Sequence, residues 1–190
     1  HIFRMTDCTG MFQHARYSVP DPVHGYTTDD NARALLMAAL LYETDGDPRY
    51  LDLVYRYLQF LLYAWDGNWF RNFMGYDRKF LEYRGSDDCF GRSLWGLGYI
   101  HACDVMPGGI RTVAGEILKA AAAKCEELYY IRGKAYAILG LCRWRDRKAR
   151  EYVAALAADL ATALEANATD DWFWFEDCLT YGNAVMPFAL

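Results

Sequence analysis

The sequence predicts an all-α protein, an array of α-hairpins with short β excursions in the loops at one end. Three observations carry that reading. Segments 35–41, 94–100 and 135–141 are apolar almost all round, which suits helices buried on every side. Each is followed by an amphipathic partner: in 50–62, Leu51, Val54, Tyr55 and Leu58 share a face opposite Asp52, Arg56 and Gln59. An acid pair also recurs at Asp29-Asp30, Asp87-Asp88 and, altered, Glu176-Asp177. Buried and solvated helices in alternation make a two-layer array.

Taken in order, the helices are expected over 31–43, 49–63, 89–103, 110–128, 132–144 and 149–166, with a last one from near Tyr181 to Leu190. Gly46 and Pro48 supply a stop and a restart, with Asp47 as N-cap. Thr28 and Ser86 are the expected N-caps of the two helices that begin with aspartates. Met106-Pro-Gly-Gly109 divides the second pair, and a turn around Asp146 divides the third. The aromatic runs 69–73 and 172–175 read as the short extended excursions. Gly96 and Gly98 lie inside a helical pattern and allow close helix approach. Trp65, Trp95 and Trp144 read as packing residues. Asp30 and Asp88 are 58 positions apart and Asp88 and Asp177 are 89 apart, the latter room for two hairpins of about 45 residues each. The last inner helix has no outer partner, and a closed ring needs about twice this length. Residues 1–190 are therefore read as a single domain, the N-terminal half of a larger ring. Its open edge would be covered by further chain or by self-association.

Composition narrows the function. Apolar residues make up 54% and aromatics 16% of the 190 residues, enough for a sizeable core and for the aromatic walls of a sugar site. A net charge of −5 without a basic stripe argues against a nucleic-acid partner. No run of about 18 apolar residues suggests a membrane span. The six cysteines show no CxxC pair and no zinc-like spacing, so reduced thiols, a cytoplasmic location and no metal are expected. Gly-rich phosphate loops and serine-nucleophile motifs are missing, and no cofactor is expected.

If the inner helices all start at one end, their acids converge on one rim. Paired carboxylates across a cleft are what glycosidic cleavage requires: one protonates the leaving oxygen, the other activates water or attacks. Crowding raises one pKa and separates the two roles. Asp30, Asp88, Glu176 and Asp177 are the candidate catalytic residues. A bland alternative stands beside this for each pair, since aspartate in a first helical turn is worth about 0.3–1 kcal/mol as a cap and dipole partner. Arg33 and Arg92 follow their acid pairs by three and four places, either as intrahelical ion pairs or as a fork on a charged sugar. His24, in the loop opened by Pro20-Asp-Pro22, is a candidate binding residue, with His14 a second rim histidine. His101 reads as a core residue. Tyr26, Asp29, Asp87, Tyr181 and Asn183 complete the expected binding set, with Trp69, Trp172 and Trp174 as stacking platforms.

Residues 4–14, Arg4-Met-Thr-Asp-Cys-Thr-Gly-Met-Phe-Gln-His14, and 20–33, Pro20-Asp-Pro-Val-His-Gly-Tyr-Thr-Thr-Asp-Asp-Asn-Ala-Arg33, resemble the opening of a helical-toroid domain. That domain belongs to the six-hairpin glycosidase-like superfamily and is found alone or attached to bacterial glycosyltransferases. Trp172-Phe-Trp-Phe-Glu-Asp-Cys-Leu-Thr-Tyr-Gly-Asn-Ala-Val-Met-Pro187 resembles its mid-domain signature. The resemblance implies an (α/α)6 barrel with a carbohydrate site in its funnel, and it leaves the reaction open, since one frame hosts many chemistries. The chain departs from that pattern in length, stopping after the fourth inner helix. The expected function is glycoside hydrolase-like cleavage of an oligosaccharide or glycan. Alternatives are a non-catalytic glycan-binding module accompanying a glycosyltransferase, a scaffold without activity, or a sugar epimerase or lyase working through His24, Tyr26 and Tyr181.

Overall fold

Most of the helices start where a side chain can satisfy the first free N–H groups. The computed structural model describes residues 1–190, and its first helix is α1, Thr28–Asp45. It is capped by the Thr27 hydroxyl, which accepts from the Asp30 N–H, and closed by left-handed Gly46. The expected cap, Thr28, lies one residue inside, and its hydroxyl donates instead to the Arg71 carbonyl at 2.5 Å. Asp47 caps α2, Pro48–Ala64, and Ser86 caps α3, Asp87–Ala102. α4, Gly108–Ala122, stops short of the single helix expected over 110–128, and a separate 3-10 turn follows at Cys125–Glu127. α5 is Ile131–Leu141, α6 is Arg147–Asn167, and a short α7 is Val185–Ala189.

The inner layer runs α1, α3, α5, α7, each packed on the next, while α2, α4 and α6 lie against α1, α3 and α5 from outside. Glycines set how closely the centre of this layer packs. Gly91 and Gly98 of α3, two turns apart, face Gly133 and Gly140 of α5. A methyl group on Gly98 would stand 2.1 Å from the Gly140 carbonyl oxygen, and one on Gly91 would stand 2.2 Å from that of Gly133. The backbones therefore touch, which only residues without a Cβ permit. Both facing pairs rise in the same sense, so α3 and α5 run parallel and start at the same end.

The chain is not all-α, and the expected class is corrected here. A three-stranded antiparallel sheet, in the order β1-β2-β3, precedes and flanks α1. β1 is Phe12–Arg16, β2 is Val19–Thr27 and β3 is Phe73–Met74. The β1–β2 hairpin falls where Pro20 and Pro22 suggested a loop. Pro20 is tolerated opposite Ala15, near the tight turn at Tyr17, and an irregularity between Phe12 and His14 breaks the even alternation that marks a strand. Asn31 of α1 holds the hairpin in place, accepting from the Met11 N–H at 2.8 Å and donating to the Met11 and Thr27 carbonyls. The aromatic run 69–73 reaches the sheet only at Phe73, and Phe70 makes an isolated bridge to Trp65. The run 172–175 forms no strand. Its Trp172 makes turn bonds with Thr169, and its indole donates to the Glu176 carbonyl at 2.6 Å.

The Gly98–Gly140 contact gives a sharp expectation. Gly140→Ala should lower the unfolding free energy by about 3 kcal/mol, the upper end for overpacking. Gly109→Ala, with nothing within 4 Å of the added methyl, should leave it unchanged or raise it by up to ~1 kcal/mol. Urea denaturation of both variants measures the difference.

Candidate functional site

The parallel start of α3 and α5 opens a hollow of about 230 Å³ between their first turns. Ser86, Asp87 and Asp88 line it from α3, and Tyr130, Ile131 and Arg132 from α5. Glu176 and Tyr181, from the segment ahead of α7, complete it. Of the expected catalytic acids, Asp88 and Glu176 are brought together here.

Asp88 is 13% exposed at its side chain, with the Arg92 guanidinium 3.4 Å away. Burial pushes its carboxyl above the ordinary aspartate value and neighbouring Asp29 adds to that, while Arg92, Tyr181 and Arg132 work against it. Tyr181 is raised for the same main reason, burial, reinforced by the charge of Asp88. Two groups that both favour their protons therefore stand next to each other in the lining of the hollow.

The remaining acids are engaged. Arg92 donates to both carboxylate oxygens of Asp29 at 2.6 Å and to the Tyr136 hydroxyl at 3.0 Å, joining α1, α3 and α5. Arg132 forks onto Glu176 with two bonds of 2.6 Å. It also donates to the Tyr181 carbonyl at 2.6 Å and to Asn183 at 3.1 Å, so Asn183 acts as a support for Arg132. Asp87 spends one oxygen on the backbone N–H groups of Tyr129 and Tyr130, at 2.7 and 2.8 Å. The chain segment that opens α5 thus receives its acid from the neighbouring helix.

Several expected site residues lie elsewhere. Asp30 accepts from the Thr27 hydroxyl at 2.6 Å and from Arg33 at 2.5 Å. Asp30 and Arg33 line a separate, more apolar groove with Met5, Phe12 and Met37. Asp177 is exposed beside Cys178 and lines no part of the hollow. Tyr26 is buried and donates to Asp7 at 2.7 Å, which makes it a core anchor. His24 stands on the solvent side of the hairpin, its ring 4.7 Å from that of His14. His101 lies half-buried at the far end of α3, beside the Arg111 carbonyl. Trp69 is 1% exposed, stacked on Phe90 with its indole donating to Gly85, so no sugar can reach its face. Trp172 and Trp174 are half-buried, Trp174 against the core. The residues that sequence reading missed are Tyr130 and Arg132. The one available signal was a basic residue in the first turn of α5, where α1 and α3 carry acids.

No three His, Cys, Asp or Glu side chains stand where they could hold a metal ion, and no helix is long and apolar enough to cross a membrane. No protein-family model and no curated protein sequence matches the chain.

The raised Asp88 pKa has a signed consequence for stability. The folded state holds this proton more tightly than the unfolded chain, so ionising Asp88 costs folding free energy. That cost is absent below the unfolded aspartate value of 3.8 and sets in as pH rises through the raised folded value. Asp88→Asn removes it. The variant should gain stability relative to the wild type between pH 4 and pH 7, measured by urea denaturation at both.

Proposed function

We propose that the hollow between α3 and α5 is a carbohydrate site, and that the chain acts as a glycosidase-like enzyme on an oligosaccharide or glycan. One observation carries the reading: a carboxyl that favours its proton, Asp88, shares a hollow with a carboxylate clamped by a guanidinium, Glu176. Asp88 would protonate the departing glycosidic oxygen, and Glu176 would be the opposing carboxylate. The likeness of 4–14, 20–33 and 172–187 to the six-hairpin glycosidase-like group points the same way. Six free thiols fit a reducing compartment, the cytoplasm.

A second reading, a glycan-binding module without turnover, is favoured by the engagement of the acids around the hollow, Asp88 the most loosely among them. Arg92, Arg132 and two backbone N–H groups take up Asp29, Glu176 and Asp87. An epimerase or lyase would rely on His24, Tyr26 and Tyr181, and of these only Tyr181 lines the hollow.

Asp88→Asn separates the first two. On the enzyme reading, hydrolysis in a glycan screen falls by at least ~100-fold, the low end of what a general acid contributes, and the thermal midpoint stays level or rises. Hydrolysis that survives in the variant makes Asp88 a structural cap. Binding by the wild type with no cleavage of any glycan supports the module.

A further inference from the structure

We infer that Tyr129 and Tyr130 form a second subsite at the mouth of the hollow, which seats the sugar ring next to the one inside, so that the ligand is an extended oligosaccharide rather than a single sugar unit. This rests on the carbohydrate reading of the hollow. At about 230 Å³ the hollow is smaller than the ~300–1,000 Å³ usual for small-molecule sites, and a chain of sugars must continue beyond it. Tyr130 lines the hollow and is largely exposed, and the Tyr129 ring packs against it.

These residues are 78% and 66% exposed, for Tyr129 and Tyr130 respectively. A scattered exposed aromatic is ordinary on a protein surface. Two adjacent ones, held, are a different matter. The rings meet edge to face, with centroids 5.1 Å apart at 87°, and the backbone N–H groups of both residues are fastened to the Asp87 carboxylate. The perpendicular pair presents one ring face and one ring edge, a bracket that fits the apolar C–H face and the hydroxyl rim of a pyranose. Because the backbone that carries both rings is fastened beforehand, less ordering cost falls on binding. For this subsite Asp87 is thereby a positioning residue, acting through the backbone of the two tyrosines. Tyr181, the third tyrosine of the site, belongs to the inner subsite, where its ring lies under Arg132 and its hydroxyl faces Asp88.

The test uses the full chain, with Asp88→Asn added wherever ligand is consumed. A glycan array selects a binding series of one to four sugar units, and calorimetry then measures each member. Affinity should rise at least 10-fold from one unit to two. Tyr129→Ala should remove that gain while leaving single-unit binding and the thermal midpoint in place, since the side chain is mostly exposed and lines no part of the hollow. Tyr129→Phe should keep the gain, because the ring is what binds. Asp87→Asn should lose part of it, with a lowered midpoint. Affinity independent of length, or a gain untouched by Tyr129→Ala, overturns the subsite and leaves the inner carbohydrate site standing. Failure of the wild-type chain to bind any glycan overturns both.

Discussion

The contact on which the site depends is the backbone-to-backbone approach of α3 and α5. Gly91 and Gly98 on one helix and Gly133 and Gly140 on the other leave no room for a single Cβ. Two parallel helices this close start side by side. Asp87 can then reach the Tyr129 and Tyr130 N–H groups, and Arg92 can reach Tyr136. Spread the helices by the width of one methyl row and these bonds lengthen past use. Helix packing and site assembly are one constraint seen at two distances from the glycines.

Close packing also crowds charge. Asp29, Asp87, Asp88 and Glu176 meet where burial is substantial, and an isolated buried carboxylate costs several kcal/mol. A helix N-terminus returns about 0.3–1 kcal/mol, too little to offset that. Arginines and backbone donors must therefore be present. Asp29 has Arg92, Glu176 has Arg132, and Asp87 has two N–H groups. Asp88 has Arg92 only at 3.4 Å and shares it with Asp29. The least neutralised of these acids, Asp88, lines the hollow beside Asp87 and Glu176, and burial raises its carboxyl above the ordinary aspartate value. Within one dipeptide the two environments part: Asp87 is taken up by the backbone N–H groups ahead of α5, and Asp88 keeps only a long, shared ion pair.

What could be read from the sequence was what is local. Asp47 and Ser86 cap the helices they precede, and the apolar segments form the inner layer. The hairpin escaped notice because two prolines and an irregular register erase the two-residue period that reveals a strand. Trp69 escaped because a tryptophan in a loop reads the same whether it faces solvent or Phe90; the difference lies in a residue twenty-one positions on. Tyr129 and Tyr130 escaped for a related reason. What fixes them is an aspartate on another helix, and no window around 129–130 contains it. Asp30 resembles Asp88 in sequence, yet Thr27 and Arg33 occupy it on a different face. Identical local chemistry ends in different roles because the neighbour in space decides.

Arg132 shows how the site is closed. A cation in the first turn of α5 sits at the positive end of the helix dipole, an unfavourable place for it. Its side chain is 7% exposed, so water cannot relieve the charge. Relief comes from the Glu176 carboxylate, the Tyr181 carbonyl and the Asn183 amide oxygen, all from the segment between α6 and α7. Arg132 draws that segment back across the start of α5 and so carries Tyr181 to Asp88. Left-handed Gly182, where a methyl group would stand 2.8 Å from the Tyr136 hydroxyl, lets the chain lie flat against α5 as it passes. Breaking one partner from a buried ion pair costs about 3–5 kcal/mol, comparable to the roughly 3–6 kcal/mol that burying Val185 and Met186 of α7 contributes. The wall of the hollow on the Glu176–Tyr181 side is therefore secured by electrostatics as well as by helix packing. Arg132 supports the hollow by anchoring that wall, and so holds Tyr181 beside the Asp88 carboxyl.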